Sequence, residues 1–110
     1  MPYERKQFEK LGEKMDSFRR IPLEAITLYR CALEMSGKGN HESALKNLST
    51  AVMLAPKFAL AYCEMGRCYE KLGRYPEAVS KFDKVLQIYP SHVEAEMNKN
   101  RVLEKMGRKK

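Results

Sequence analysis

The chain has 110 residues, of which 44% are hydrophobic and 32% charged, and it carries a formal net charge of +7. This length suits one small domain with a modest core. No run of about 18 apolar residues occurs, which excludes a membrane-spanning helix, and the opening MPYERKQFEK lacks the apolar stretch of a secretory signal. The three cysteines, Cys31, Cys63 and Cys68, form an odd set without CxxC spacing, which argues for a reducing, cytoplasmic setting rather than a disulfide framework. The positive charge is spread along the chain, with one small cluster at Arg108, Lys109 and Lys110. Without a continuous basic stripe, nucleic acid is disfavoured as a partner.

In chain order, residues 1–21 form an expected amphipathic helix, with Phe8, Leu11, Met15 and Phe18 on one face. Pro22 interrupts it at Ile21 and suits the first turn of a second helix, which runs to about Gly37. Residues 41–54 form a third helix, with Ala44, Leu48 and Ala51 on one face. Residues 58–72 form a fourth, closed by Gly73, and residues 75–88 a fifth, followed by Pro90. A sixth is expected over about 91–106, with Ser91 as N-cap and Glu94 three residues on, a capping box. The fold class is therefore all-α, with about six antiparallel helices. The cysteines fall inside these helical patterns and read as small buried thiols.

The pattern repeats at an offset of 34 residues: Ala32 with Gly66, Met35 with Tyr69, Gly39 with Gly73, Ala44 with Ala78, Leu48 with Phe82, Ala51 with Val85, Pro56 with Pro90. Small residues recur where two helices would cross, large ones where the space between them needs filling, and breakers at the turns. One such helix pair cannot bury its outer face, so neighbouring pairs must stack. Tyr62, Met65, Gly66, Tyr69, Ala78, Phe82, Val85 and Pro90 resemble the signature of the tetratricopeptide repeat, with Tyr62 where that family usually has Trp. Residues 59–92 resemble it closely and residues 25–58 more loosely, through Leu28, Cys31, Ala32, Met35, Ala44, Leu48, Ala51 and Pro56.

The resemblance implies an α-α superhelical domain over residues 22–110, with two repeats, a C-terminal capping helix at 91–106 and a basic tail at 107–110. The last helix carries Ala95, Val102 and Met106 on the side of its predecessor, but Glu96, Lys99 and Asn100 where a further helix would pack. At the other end, Thr27, Glu34 and Lys38 make the face for an earlier repeat polar. Both ends therefore read as ends of the array.

Members of this family bind peptides or helices in a concave groove, as scaffolds without catalysis. The resemblance places Ile26, Tyr29, Arg30, Leu33, Leu60, Cys63, Glu64, Arg67, Met97, Asn98 and Arg101 on that surface. Ile26, Tyr29 and Leu33 form an apolar stripe against which the Phe8–Phe18 face could pack, within one chain or exchanged in a homodimer. Some relatives clamp the C-terminal carboxylates of heat-shock chaperones with Lys, Arg and Asn; the matching positions here, Tyr29, Leu33, Glu64, Glu94 and Asn98, do not keep that pattern, and two are acidic. No catalytic constellation, metal-ligand spacing or phosphate loop stands out, so neither enzyme activity nor a cofactor is expected. The partner is expected to be another protein or a peptide.

Overall fold

The structure, a computed structural model, describes residues 21–108. The expected helix at 1–21 and the end of the basic tail lie outside the described residues, apart from Ile21, which is not helical. Five helices follow one another: α1 (Leu23–Gly37), α2 (His41–Leu54), α3 (Ala59–Lys71), α4 (Tyr75–Ile88) and α5 (Val93–Arg108). Consecutive helices pack as antiparallel hairpins, α1 on α2 and α3 on α4, with α2 against α3 and α5 against α4.

The turns show why the boundaries fall where they do. Pro22 begins α1, its carbonyl accepting from the backbone N–H groups of Ala25 (3.0 Å) and Ile26 (3.2 Å). After α1 the chain turns through Gly39 at φ 84°, and after α3 through Gly73 at φ 76°. In each turn the next N–H closes the helix end on a carbonyl five residues back: Asn40 to Met35 and Arg74 to Tyr69, both at 2.8 Å. Asn40 then caps α2 through Ser43, whereas Arg74 cannot cap α4 and instead reaches Glu77 at 2.9 Å.

Two expectations need correction. The sixth expected helix, placed at 91–106, runs over Val93–Arg108 as α5, and His92 rather than Ser91 caps it: its Nδ1 accepts from the Ala95 N–H at 3.0 Å. Cys31 is exposed, while Cys63 and Cys68 are buried. Cys31 shares a helical face with Thr27, Glu34 and Lys38, all exposed, on the side of α1 where no described helix packs. Its counterpart one repeat later, Met65, is 3% exposed and belongs to the core cluster that includes Ala44, Leu48 and Ala51 of α2.

The core follows the repeat. Ala32, Ala44, Leu48, Ala51, Ala78, Phe82 and Val85 are fully buried, as are Ala61, Cys68, Ala95 and Val102 between successive units. Among the described glycines, only Gly66, between α3 and α4, leaves no room for a side chain. A Cβ built on Gly66 would stand 2.6 Å from Cε1 and Cζ of Phe82, a ring with no exposed surface. Phe82 also joins Ala78 and Val102 in the cluster that fastens α5 to the second hairpin.

Gly66→Ala is therefore expected to lower the free energy of unfolding by about 1–3 kcal/mol, through overpacking, as read by urea denaturation. Gly37→Ala, with nothing within 4 Å of the added Cβ, should leave stability unchanged or slightly raised.

Candidate functional site

Helices α1, α3 and α5 lie side by side. Tyr29 of α1 packs against Phe58 at the start of α3, with ring centroids 5.2 Å apart, and the Cys68 thiol donates to the Ser36 hydroxyl at 3.8 Å. From α3 to α5 the ties are ionic: Arg67 with Glu94, and Glu70 with both Arg101 and Lys105. Most of α3 is enclosed. Only Leu60, Arg67 and Lys71 of that helix are exposed, and they form one stripe at helical spacing. On the flanking helices Arg30 and Leu33 of α1 and Met97 and Arg101 of α5 are exposed as well.

The residues expected to line a groove thus fall into two layers. Leu33 (39% exposed), Leu60 (50%) and Met97 (64%) present apolar surface next to Arg30, Arg67 and Arg101. Ile26 and Tyr29 are half-buried against the core. Cys63, Glu64 and Asn98 are buried. The two polar ones are each held by the arginine one turn on: Glu64 by Arg67 at 3.6 Å, and the Asn98 Oδ1 by Arg101 at 2.8 Å. These two pairs stand at equivalent places in successive units; α1 has Arg30 and Leu33 there instead. The Asn98 Nδ2 is the one buried side-chain nitrogen or oxygen among the described residues without a hydrogen-bond partner.

Burial pushes the Cys63 and Cys68 thiols and the Tyr29 phenol upward, so all three are protonated at neutral pH and neither thiol is a ready nucleophile. Glu70 moves the other way. The hydrogen bond from Arg101, joined by one from Lys105, draws it from 4.5 to about 2 despite its burial. Arg101 grips it in bidentate fashion, Nη2 to Oε1 at 2.7 Å and Nε to Oε2 at 3.0 Å. Sequence inspection did not single out Glu70 or Lys105. Their signal is a spacing: Glu70 and Arg101 are 31 residues apart, three short of one repeat, which sets them opposite each other on neighbouring long helices. This chemistry recognises and fastens. Among the described residues no group of three or more His, Cys, Asp or Glu side chains gathers to hold a metal, and no helix is long and apolar enough to cross a membrane.

Stacked helical hairpins with their first helices aligned on one face define a helical-repeat protein. Residues 59–92 match the family model described as tetratricopeptide repeat, so that segment of the chain is a tetratricopeptide repeat. The chain is 36% identical over 61 residues to the small glutamine-rich tetratricopeptide repeat-containing protein 2 of Mycosarcoma maydis, a match covering 56% of this chain and 17% of that protein. MamA (41-end) from Desulfovibrio magneticus RS-1 superposes with a TM-score of 0.76 at 28% identity, over 80% of this chain and 50% of that one. The second TPR of Spaghetti (RPAP3), in a structure bound to the HSP90 peptide SRMEEVD, superposes with a TM-score of 0.75 at 16% identity, over 86% of this chain and 85% of that one; this is a likeness of fold. The chain therefore spans a small part of the curated relative and half of the MamA chain.

The lowered pKa of Glu70 gives a pH dependence with a definite sign. The folded state binds this proton less readily than the unfolded state, so the stabilisation is complete above 4.5 and fades as pH falls towards about 2. Because Arg101 and Lys105 are both well exposed, solvent screening trims the gain to about 1–2 kcal/mol. Glu70→Gln is expected to lose that amount at neutral pH and to flatten this segment of the acid-unfolding curve, measured by urea denaturation across the window.

Proposed function

We propose that this chain is a non-catalytic protein-interaction module whose α1–α3–α5 face takes a peptide or helix from another protein. The observation that carries the reading is the exposure of Leu33, Leu60 and Met97, one on each of α1, α3 and α5, on helices that also expose Arg30, Arg67 and Arg101. Apolar groups left in water on one continuous face gain about 25 cal/mol for each Å² a partner covers. The carboxylates of this face, Glu64, Glu70 and Glu94, are already engaged by Arg67, Arg101 and Lys105, whereas Arg30 has no ion-pair partner among the described residues. A fitting ligand supplies apolar side chains and a carboxylate for Arg30.

That ligand differs from the acidic chaperone tail. At the positions that would clamp it, Glu64 and Glu94 are both paired with Arg67, and Tyr29 and Leu33 carry no charge. The peptide SRMEEVD is expected to give no binding heat in calorimetry; micromolar affinity would contradict this. A positive test uses a displayed peptide library selected on the whole chain. The enriched peptides should lose at least about tenfold in affinity to Leu60→Asp or Met97→Asp and nothing to Lys46→Ala on the exposed side of α2. Peptides insensitive to both apolar changes would remove the assignment.

A second reading is a self-associating module completed by its own N-terminal segment. It is favoured by an apolar cavity of about 470 Å³ lined in part by Ile21, Leu54, Pro56, Ile88 and Tyr89. Ile21 is the residue at which residues 1–20 join the described chain. Light scattering separates the cases: a dimer of the whole chain that becomes a monomer without residues 1–20 supports self-association, and a monomer in both forms rejects it.

A further inference from the structure

The far side of the second hairpin holds a second concentration of unused chemistry. A cavity of about 660 Å³ opens on the outer face of α4, reaching Val52 of α2. At its inner wall lies Tyr62 of α3, 7% exposed. Lys81 and Lys84 converge on that ring, with their ammonium nitrogens 6.0 and 5.9 Å from its centroid. None of this surface belongs to the α1–α3–α5 face.

We propose that this cavity is a docking site for an acidic segment of a partner protein. Its charges are the first ground. Neither lysine has a carboxylate within ion-pair distance among the described residues, and the one acid in the wall, Asp83, is bound to Lys99 at 2.7 Å. The wall therefore shows two free cations, and Ser80, Gln87 and Tyr62 bring a hydroxyl, a side-chain amide and a phenol that can donate hydrogen bonds. The second ground is that the arrangement is electrostatically incomplete. Each ammonium is drawn to the ring face, yet two like charges gathered on one ring repel each other. A carboxylate between them turns that repulsion into two attractions.

Spacing narrows the ligand. Lys81 and Lys84 are three residues apart on one helix, so their heads lie on one side and suit two neighbouring acids in a partner segment. The volume lies in the range of a pocket for a few side chains, too small for a whole helix. Nucleic acid fits less well. A phosphate backbone calls for a run of free cations, and elsewhere Arg67, Arg74, Lys99, Arg101 and Lys105 are all committed to carboxylates.

The test uses the isotope-labelled whole chain and a hexaglutamate peptide, followed by heteronuclear NMR at low salt. Saturable shifts centred on the amides of Ser80, Lys81, Lys84 and Gln87, with the Tyr62 ring, are expected. The double variant Lys81→Gln/Lys84→Gln, at exposed or half-exposed positions, should weaken binding at least about tenfold, while Leu60→Asp leaves it intact. Thermal melting of the double variant confirms that it is folded. Absence of saturable binding, shifts centred on Arg30 or the C-terminal lysines, an unchanged affinity in the double variant, or equal competition by a short DNA duplex would each overturn the proposal. Failure here leaves the reading of the α1–α3–α5 face untouched.

Discussion

The approach of the Gly66 backbone to the Phe82 ring, with no room for a Cβ between them, sets the geometry of the helices around it. With no Cβ on Gly66, α3 can lie against a full aromatic ring from α4. Phe82 then reaches Val102 and fastens α5. One missing carbon thus controls the spacing of the second hairpin and, through the same ring, the seat of the last helix. The first hairpin solves the same problem with Ala32 and Leu48, at the same two places in the repeat. A leucine is smaller and more adaptable than a phenylalanine, and its partner can keep a methyl group.

Alignment of α1, α3 and α5 follows from this packing, and polar chemistry then finishes the face. Glu70 is nearly enclosed, and its two cationic partners come from α5, so the last helix is held at its middle as well as at its apolar seat. The paired arrangement of Glu64 with Arg67 and Asn98 with Arg101 neutralises what would otherwise be buried polar groups under an apolar surface. The Asn98 amide nitrogen is left over. On the reading proposed above, a face whose carboxylates are already paired and whose Leu33, Leu60 and Met97 stand in water gains by covering that apolar surface. The outer cavity beside Tyr62 is built on different terms, with cations in excess and little apolar surface.

Much of the fold was legible because punctuation and period agree. Gly39 and Gly73, Pro56 and Pro90 stand one repeat apart, and α2 and α4 begin and end at the residues their spacing indicates. The polar faces at Thr27, Glu34 and Lys38 and at Glu96 and Asn100 are exposed, whereas Lys99 is half-buried and reaches back to Asp83 of α4 instead of the open side. The details that escaped are those in which one helix answers another. Repeat phase brought Cys63, Glu64 and Asn98 towards the α1–α3–α5 side, but the depth at which neighbouring helices bury them is not written in the phase of one helix. Glu70 looked like any surface acid until α5 brought Arg101 and Lys105 to it. His92 displaced Ser91 as the cap because the turn after Pro90 ends one residue later, where a ring nitrogen can accept as well as a hydroxyl. Cys31 was misjudged because its covering would come from a helix that is not among the described ones.

The central claim is that α3 and α4 meet in the register that seats Gly66 on Phe82. Nuclear Overhauser contacts between the Gly66 α-protons and the Phe82 ring protons measure that register directly. Strong cross-peaks are expected in the free chain, together with contacts from the same ring to the Val102 methyls. A ring that shows neither, while the helices remain formed, would contradict the packing on which both proposed binding surfaces depend.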